Sequence, residues 1–134
     1  MTAITALLLF AVWTLLLMFI YVLPRVAKVM AGKKKANSWT RGQPTDDSPL
    51  LVRAQHAHMN CVENLPVFAA VVLAAYALGK APVVDALAVW VLVLRVAQST
   101  VHLISISHWM VFLRANLFVL QLLLILYMVW RLFA

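Results

Sequence analysis

Four polar side chains recur at helical spacing inside an otherwise apolar segment of the chain. Arg53, His56, Asn60 and Glu63 follow one another at intervals of three, four and three residues. On an α-helix this spacing places all four within ~80° of one another, so they share one face. Ionisable groups at membrane depth are costly and usually mark a functional site. The mixture of cations, an amide and a carboxylate predicts a binding surface for a charged ligand.

The charges inside the apolar segments do not balance. Three arginines, Arg53, Arg95 and Arg114, accompany a single carboxylate, Glu63. Because buried charges without partners are heavily penalised, the apolar segments require a further anion to balance the arginines. A ligand with carboxylates would supply it, since guanidinium groups bind carboxylates through two parallel hydrogen bonds. The alternative is that these groups only hold helices or subunits together.

The chain that carries these residues is built for a membrane. Of its 134 residues, 66% are hydrophobic and 11% are charged, which excludes a soluble domain of this length. We predict an all-α integral membrane protein with one domain over residues 1–134 and a bundle of four transmembrane helices. The helices are expected at about 2–31, 49–79, 82–105 and 108–133. Pro66 is expected to kink or interrupt the second helix. Such a bundle is thin, which favours a cavity shared between subunits.

Depth along the helices relates the polar residues to one another. At ~1.5 Å per residue from the ends predicted to be cytoplasmic, Glu63 lies ~21 Å, Asn60 ~16 Å and Arg95 ~15 Å deep. His56 lies ~10 Å and Arg114 ~9 Å deep. Arg95 is therefore expected to meet Glu63 or Asn60, and Arg114 to lie level with His56. The third helix also presents a polar face, formed by Arg95, Gln98, Ser99 and His102.

The loop at residues 32–48 is basic. Lys28, Lys33, Lys34, Lys35 and Arg41 lie in it or just before it. Under the positive-inside rule this loop is predicted to be cytoplasmic, with both termini on the other side and the helices running up, down, up and down. We interpret the basic run as a topology determinant and a contact for membrane lipids, and we predict no nucleic-acid partner.

Cys61 and the histidines near it suggest other chemistry, which we considered. Cys61 is the only cysteine, and no compact Cys-His spacing accompanies it, so we interpret it as a small buried hydrophobe. His56 and His58 point to different faces of a helix, and no cysteine or carboxylate completes a ligand set near them. No metal site is predicted.

Residues 52–68, with the sequence VRAQHAHMNCVENLPVF, resemble the second-helix signature of the MAPEG family, the membrane-associated proteins in eicosanoid and glutathione metabolism. That signature pairs an arginine with a second arginine three residues on, followed by Asn, Glu and Pro-x-Phe. Arg95 resembles the third-helix arginine of the family, and residues 114–118, RANLF, resemble the arginine-led start of its fourth helix. Length, helix count and the basic first loop agree with the family over the whole chain.

The resemblance implies a homotrimer that binds glutathione, as co-substrate, at each subunit interface near the cytoplasmic side. It further implies activation of glutathione as a thiolate for transfer to a lipophilic substrate, for isomerisation, or for peroxide reduction. Asn60 and Glu63 would contact the glutathione backbone and amino group, and Arg53 and Arg95 would support the site electrostatically. Arg114 would be the catalytic residue that holds or activates the sulfur, because a neighbouring cation favours the thiolate.

The chain departs from the family pattern in two respects. His56 stands where the enzymes carry an arginine, so one carboxylate contact becomes weaker and dependent on pH. Tyrosines common near the family's active site are replaced here, by Asn64, His102 and Phe118. A non-catalytic MAPEG-like lipid-binding or scaffold protein is therefore an alternative to a glutathione transferase or peroxidase. A small proton-coupled transporter that uses Glu63 is a further alternative.

Overall fold

Four long helices make up the protein in a computed structural model that describes residues 1–40 and 42–134. They are α1 (Ala3–Met30), α2 (Pro49–Ala77), α3 (Ala81–Ile104) and α4 (His108–Phe133), with a short 3₁₀ helix, Ala36–Trp39, between α1 and α2. The described residues contain no strand, and each helix bound lies within two residues of its predicted position. All four helices are long and apolar enough to cross a membrane. The prediction of an all-helical, multi-pass membrane protein is confirmed.

Local sequence signals set the ends of these helices. The Thr2 side chain accepts a hydrogen bond from the Thr5 backbone at the start of α1. Pro49 and Pro82 occupy the first turns of α2 and α3, where a missing backbone N–H costs nothing. Gly79 adopts φ +69° in the turn of three residues that separates α2 from α3, a conformation that favours glycine. Short turns of this kind hold consecutive helices side by side.

The expected interruption at Pro66 is not seen. The helical backbone of α2 continues through Pro66, as that of α1 continues through Pro24. Proline removes one backbone donor from a helix, yet membrane helices tolerate it because neighbouring groups and local adjustments satisfy the freed carbonyl. The polar residues of α2 therefore lie on a single continuous helix.

Small side chains line the contacts among α1, α2 and α3. Six fully buried alanines allow the helix backbones to approach closely: Ala3, Ala6, Ala54, Ala57, Ala75 and Ala88. Phe10 of α1 packs against Phe68 of α2, with ring centroids 5.9 Å apart. In α4 only Gln121, Ile125 and Met128 are buried, so most of its apolar surface faces outward. The core is centred on the first three helices, and α4 joins it through Ile125 and Met128.

Helix ends are satisfied by side chains from other helices. Asp85 of α3 accepts the backbone N–H of Ala3 at 2.7 Å and the Tyr76 hydroxyl at 3.0 Å. The Lys80 ammonium donates to the Leu132 carbonyl at 2.8 Å, near the end of α4. A carboxylate at a helix N-terminus and a cation at a C-terminus both complement the helix dipole. These bonds connect the first turns of α1 and α3 with the last turns of α2 and α4.

Replacement of Asp85 by alanine should destabilise the bundle by about 1–2 kcal/mol, because the first turn of α1 loses an acceptor for a buried N–H. Asp85→Asn, which keeps an oxygen acceptor, should recover at least half of the loss. Thermal unfolding in detergent micelles would measure both variants. Identical midpoints for the wild type and Asp85→Ala would contradict a role for this bond in stability.

Candidate functional site

A polar cavity of about 170 Å³ opens between α2, α3 and α4. It is lined by Asn60, Gln98, Arg114, Ala115 and Phe118. Asn60 and Arg114, both predicted from the sequence as site residues, thus share one cavity. Its lining combines a guanidinium with two amides and includes no carboxylate. Such a cavity suits an anionic or strongly hydrogen-bonding ligand.

Arg95 lies directly behind this cavity and is completely buried. Its Nη1 donates to Gln98 Oε1 at 3.1 Å, and its guanidinium lies 5.5 Å from the Phe10 ring centroid and 5.8 Å from that of Phe118. A guanidinium can only donate, so Gln98 must turn its oxygen to Arg95 and leave its NH₂ group for the cavity. Arg95 is therefore placed as a positioning residue that orients Gln98.

The partner expected for Arg95 from depth alone was Glu63 or Asn60. No ion pair among the described residues includes Arg95 or Glu63. Within the same residues, the Nε and Nη2 atoms of Arg95 are buried and make no hydrogen bond. The Arg95 guanidinium, which adjoins the cavity, thus contacts one amide oxygen and two aromatic rings and forms no ion pair among the described residues.

His56 and Arg53 lie closer to the loop end of the bundle. His56 is exposed, and its ring packs 6.2 Å from the ring of His102 on α3, centroid to centroid. Arg53 Nε donates to the Leu103 carbonyl at 2.8 Å, in the last turn of α3. This bond satisfies a carbonyl that the helix itself leaves unpaired, and it leaves the Nη groups of Arg53 available.

Glu63 opens on a different cavity, of about 620 Å³. This second cavity is lined by Tyr21, Gly42, Gln55, His58, Met59, Val62 and Glu63. Its Tyr21 hydroxyl and the Nδ1 atom of His58 form a hydrogen bond of 2.9 Å. Glu63 is exposed on this subunit although α2 is a candidate membrane span. Asn60 and Glu63 of the predicted row on α2 therefore open on different cavities, and Arg53 and His56 line neither of the two.

A cluster of charges ties the loop to the helices beside the second cavity. Asp47 accepts hydrogen bonds from Arg25 Nε at 2.7 Å and from Lys28 at 3.3 Å, while Arg25 Nη2 donates to Gln55 at 2.7 Å. Burial alone would raise the pKa of Asp47, but the hydrogen bonds and charges of Arg25 and Lys28 outweigh it, so this pKa lies below its ordinary value. The cluster joins the end of α1, the loop and the start of α2.

The sequence did not predict two features of the site. Gln98 was recognised as part of a polar face but not as a lining residue, and its position three residues after Arg95 was the available signal. The contribution of Tyr21 to the second cavity had no signal, because it depends on how α1 packs against α2.

The geometry defines a class: a small multi-pass helical membrane protein with a cationic cavity within its bundle. The sequence model of the MAPEG family matches residues 3–134, essentially the whole chain. The chain therefore belongs to the MAPEG family, and the resemblance inferred from its motifs is confirmed. Comparison with curated proteins and with solved structures finds no match.

Replacement of Asp47 by alanine should loosen the loop, because Arg25, only 11% exposed, loses its ionic partner. Chymotrypsin cleavage after Trp39 in detergent micelles should accelerate by roughly fivefold or more, which corresponds to about 1 kcal/mol of local stability. Asp46→Ala provides a matched control, since the Lys34–Asp46 pair is far more exposed and surface pairs contribute little. Equal acceleration in both variants would refute the special role of Asp47.

The same carboxylate predicts a direction of pH dependence. A pKa that is depressed in the folded state stabilises the fold above the ordinary value of 3.8, and this contribution is lost as the pH falls through the lower folded-state value. Hydrogen exchange of residues 36–47, corrected for intrinsic rates, should therefore be slower in the wild type than in Asp47→Asn above about pH 5. The difference should vanish in strong acid. A difference that persists there would contradict the ionic origin.

Proposed function

We propose that the protein is a membrane-bound glutathione transferase or peroxidase that activates glutathione as a thiolate. The thiolate would attack a lipophilic electrophile or a hydroperoxide. The observation that carries this proposal is the cavity in which Arg114 faces two amides and no carboxylate. Membership of the MAPEG family, which is associated with glutathione in general, supports the same ligand.

The charges around the bundle suit glutathione, which has two carboxylates and one ammonium. The Nη groups of Arg53 and the imidazole of His56 would receive carboxylates near the loop end of α2. Asn60 and the NH₂ group of Gln98 would bond to the peptide groups of the ligand, with Gln98 held in orientation by Arg95. Glu63 opens on the other cavity of its own subunit, so it would receive the ammonium of a ligand bound between two copies of the chain.

Arg114 would act on the sulfur. A guanidinium beside a thiol stabilises its ionised form, and the thiolate is the reactive nucleophile. Phe118, one turn further along α4, gives the cavity an apolar side on which a lipophilic substrate would rest. The buried positive charge of Arg95 would add to the same electrostatic effect through Gln98 and across the cavity wall.

We further propose a homotrimer of up-down-up-down subunits, with the 32–48 loop cytoplasmic and both termini on the other side. An exposed Glu63 within a membrane span is costly until another subunit covers it. The cavity at Arg114 is also smaller than the roughly 300 Å³ at which small-molecule pockets begin, so one subunit offers only part of a site for a tripeptide. Both observations favour a site completed by a second copy.

Replacement of Arg114 by alanine should lower kcat/KM for conjugation of a lipophilic electrophile by roughly 10²–10³, the usual effect of removing one group that stabilises developing charge. The thiolate absorbance of bound glutathione should fall in parallel. Arg131→Ala, which removes an exposed arginine at the far end of the same helix, is the matched control. Activity in Arg114→Ala equal to that of Arg131→Ala would refute the proposed role.

A second candidate is a non-catalytic MAPEG-like scaffold, and His56 is the residue that favours it. An exposed imidazole offers a carboxylate a weaker and less permanent contact than the arginine of the family signature. If the protein uses glutathione, His56→Arg should bind it roughly tenfold more tightly, since hydrogen bonds from a permanent cation are stronger. Isothermal calorimetry measures this. Absence of glutathione binding in both the wild type and His56→Arg would favour the scaffold.

A further inference from the structure

An apolar groove runs along the last two turns of α1, on the loop side of the bundle. One wall is formed by Val22, Val26, Val29 and Met30 of α1, and the other wall by Ala36 and Trp39 of the 3₁₀ helix. The groove has a volume of about 250 Å³ and is open along one side. It is separate from both cavities described above, because none of these residues lines either of them.

The rim of the groove is polar and aromatic. Arg25 lines the groove, and its guanidinium lies 5.5 Å from the ring centroid of the half-buried Trp39. Tryptophan is enriched where a membrane span meets the headgroup region, since its ring is apolar and its N–H is polar. The groove therefore extends from the depth of acyl chains to that of headgroups.

Positive charge is concentrated where the groove meets the loop. The turn between Met30 and Ala36, which form opposite walls, contains three consecutive lysines. Lys34 pairs with Asp46, and Asp47 pairs with Arg25 and Lys28. Lys33 and Lys35 are exposed and take part in no ion pair among the described residues. Two lysines thus remain available at the end of an apolar groove.

We propose that this groove is a binding site for an anionic phospholipid. One acyl chain would lie between α1 and the 3₁₀ helix, and the headgroup phosphate would contact Lys33 and Lys35. Charge complementarity selects this occupant: the structure describes five cations and two carboxylates from Arg25 to Ser48, a surplus that attracts anionic lipids and gives no advantage to zwitterionic ones. An uncharged or basic peptide segment would leave Lys33 and Lys35 without a partner.

The site would have a structural consequence. A lipid held between α1 and the 3₁₀ helix would stabilise the loop that also forms part of the second cavity, through Gly42. The binding site itself does not depend on glutathione, so its test and the test of the proposed enzyme can fail independently.

The proposal is tested by native mass spectrometry of the purified full chain. The protein is first exchanged into micelles that contain equal amounts of dioleoyl phosphatidylglycerol and dioleoyl phosphatidylcholine. The wild type should retain one phosphatidylglycerol per chain with at least a tenfold preference. The double variant Lys33→Gln/Lys35→Gln should lose roughly tenfold or more in retention, since each lysine near an anionic surface contributes several-fold. Val26→Trp, which fills the groove, should lower retention of lipid to a similar degree.

Two control variants test whether the effects on lipid retention are specific to the groove and to the lysines beside it. Leu23→Trp adds the same ring to an exposed position of α1 outside the groove, and Arg131→Gln removes an exposed cation from the end of α4. Both should retain phosphatidylglycerol within about twofold of the wild type. Circular dichroism would establish that each variant is folded.

Four results would overturn the proposal. These are equal retention of the two lipids by the wild type, unchanged retention in both test variants, equal loss in Leu23→Trp and Val26→Trp, and displacement of phosphatidylglycerol by equimolar oleate. Light scattering adds a further criterion. A change in oligomer mass in Val26→Trp, absent from Leu23→Trp, would show that a second copy of the chain covers the groove and would also overturn the proposal.

Discussion

Hydrocarbon offers no hydrogen bonds, and every polar group of this bundle is placed under that constraint. Near the helix ends the groups satisfy one another: Asp85 accepts from the start of α1, and Lys80 donates to the end of α4. Further in, Arg95 and Gln121 are fully buried and keep polar atoms without partners among the described residues. The Nε and Nη2 atoms of Arg95 lie beside the candidate site, where a ligand, water or another subunit would meet them.

The helix bounds could be predicted closely because apolar runs of sufficient length are visible directly in the sequence. Glycine and proline in the turns mark where these runs end. The site was harder to predict. Depth placed Arg114 level with His56 and Asn60 level with Arg95, whereas the cavity joins Asn60 with Arg114, because depth contains no information about rotation around a helix axis. Three residues separate Asn60 from Glu63, which is a rotation of ~60°, and this is enough to direct them into different cavities. Depth also could not identify Gln98, a neighbour on the same helix, as the partner of Arg95.

Counting charges in the sequence treats each arginine as free, and the structure corrects that assumption. Arg53 donates to a carbonyl in the last turn of α3, where the helix dipole is negative, and Arg25 holds the loop through Asp47. Part of the positive charge is therefore used by the fold. Arg114 is the cation that lines the cavity, with the buried Arg95 behind it, and the Nη groups of Arg53 stay available nearer the loop end of the bundle.

Among the four helices, α4 is the least buried, and its polar attachment lies at one end. Lys80 holds its last turn, whereas the described residues show no hydrogen bond from its first half to α1, α2 or α3. If α4 tilts, this polar attachment makes Leu132 the pivot. Arg114 lies ~27 Å from that pivot along the axis, so a tilt of only ~5° would displace it by ~2 Å. Such a tilt would change the width of the cavity between α4 and the other helices.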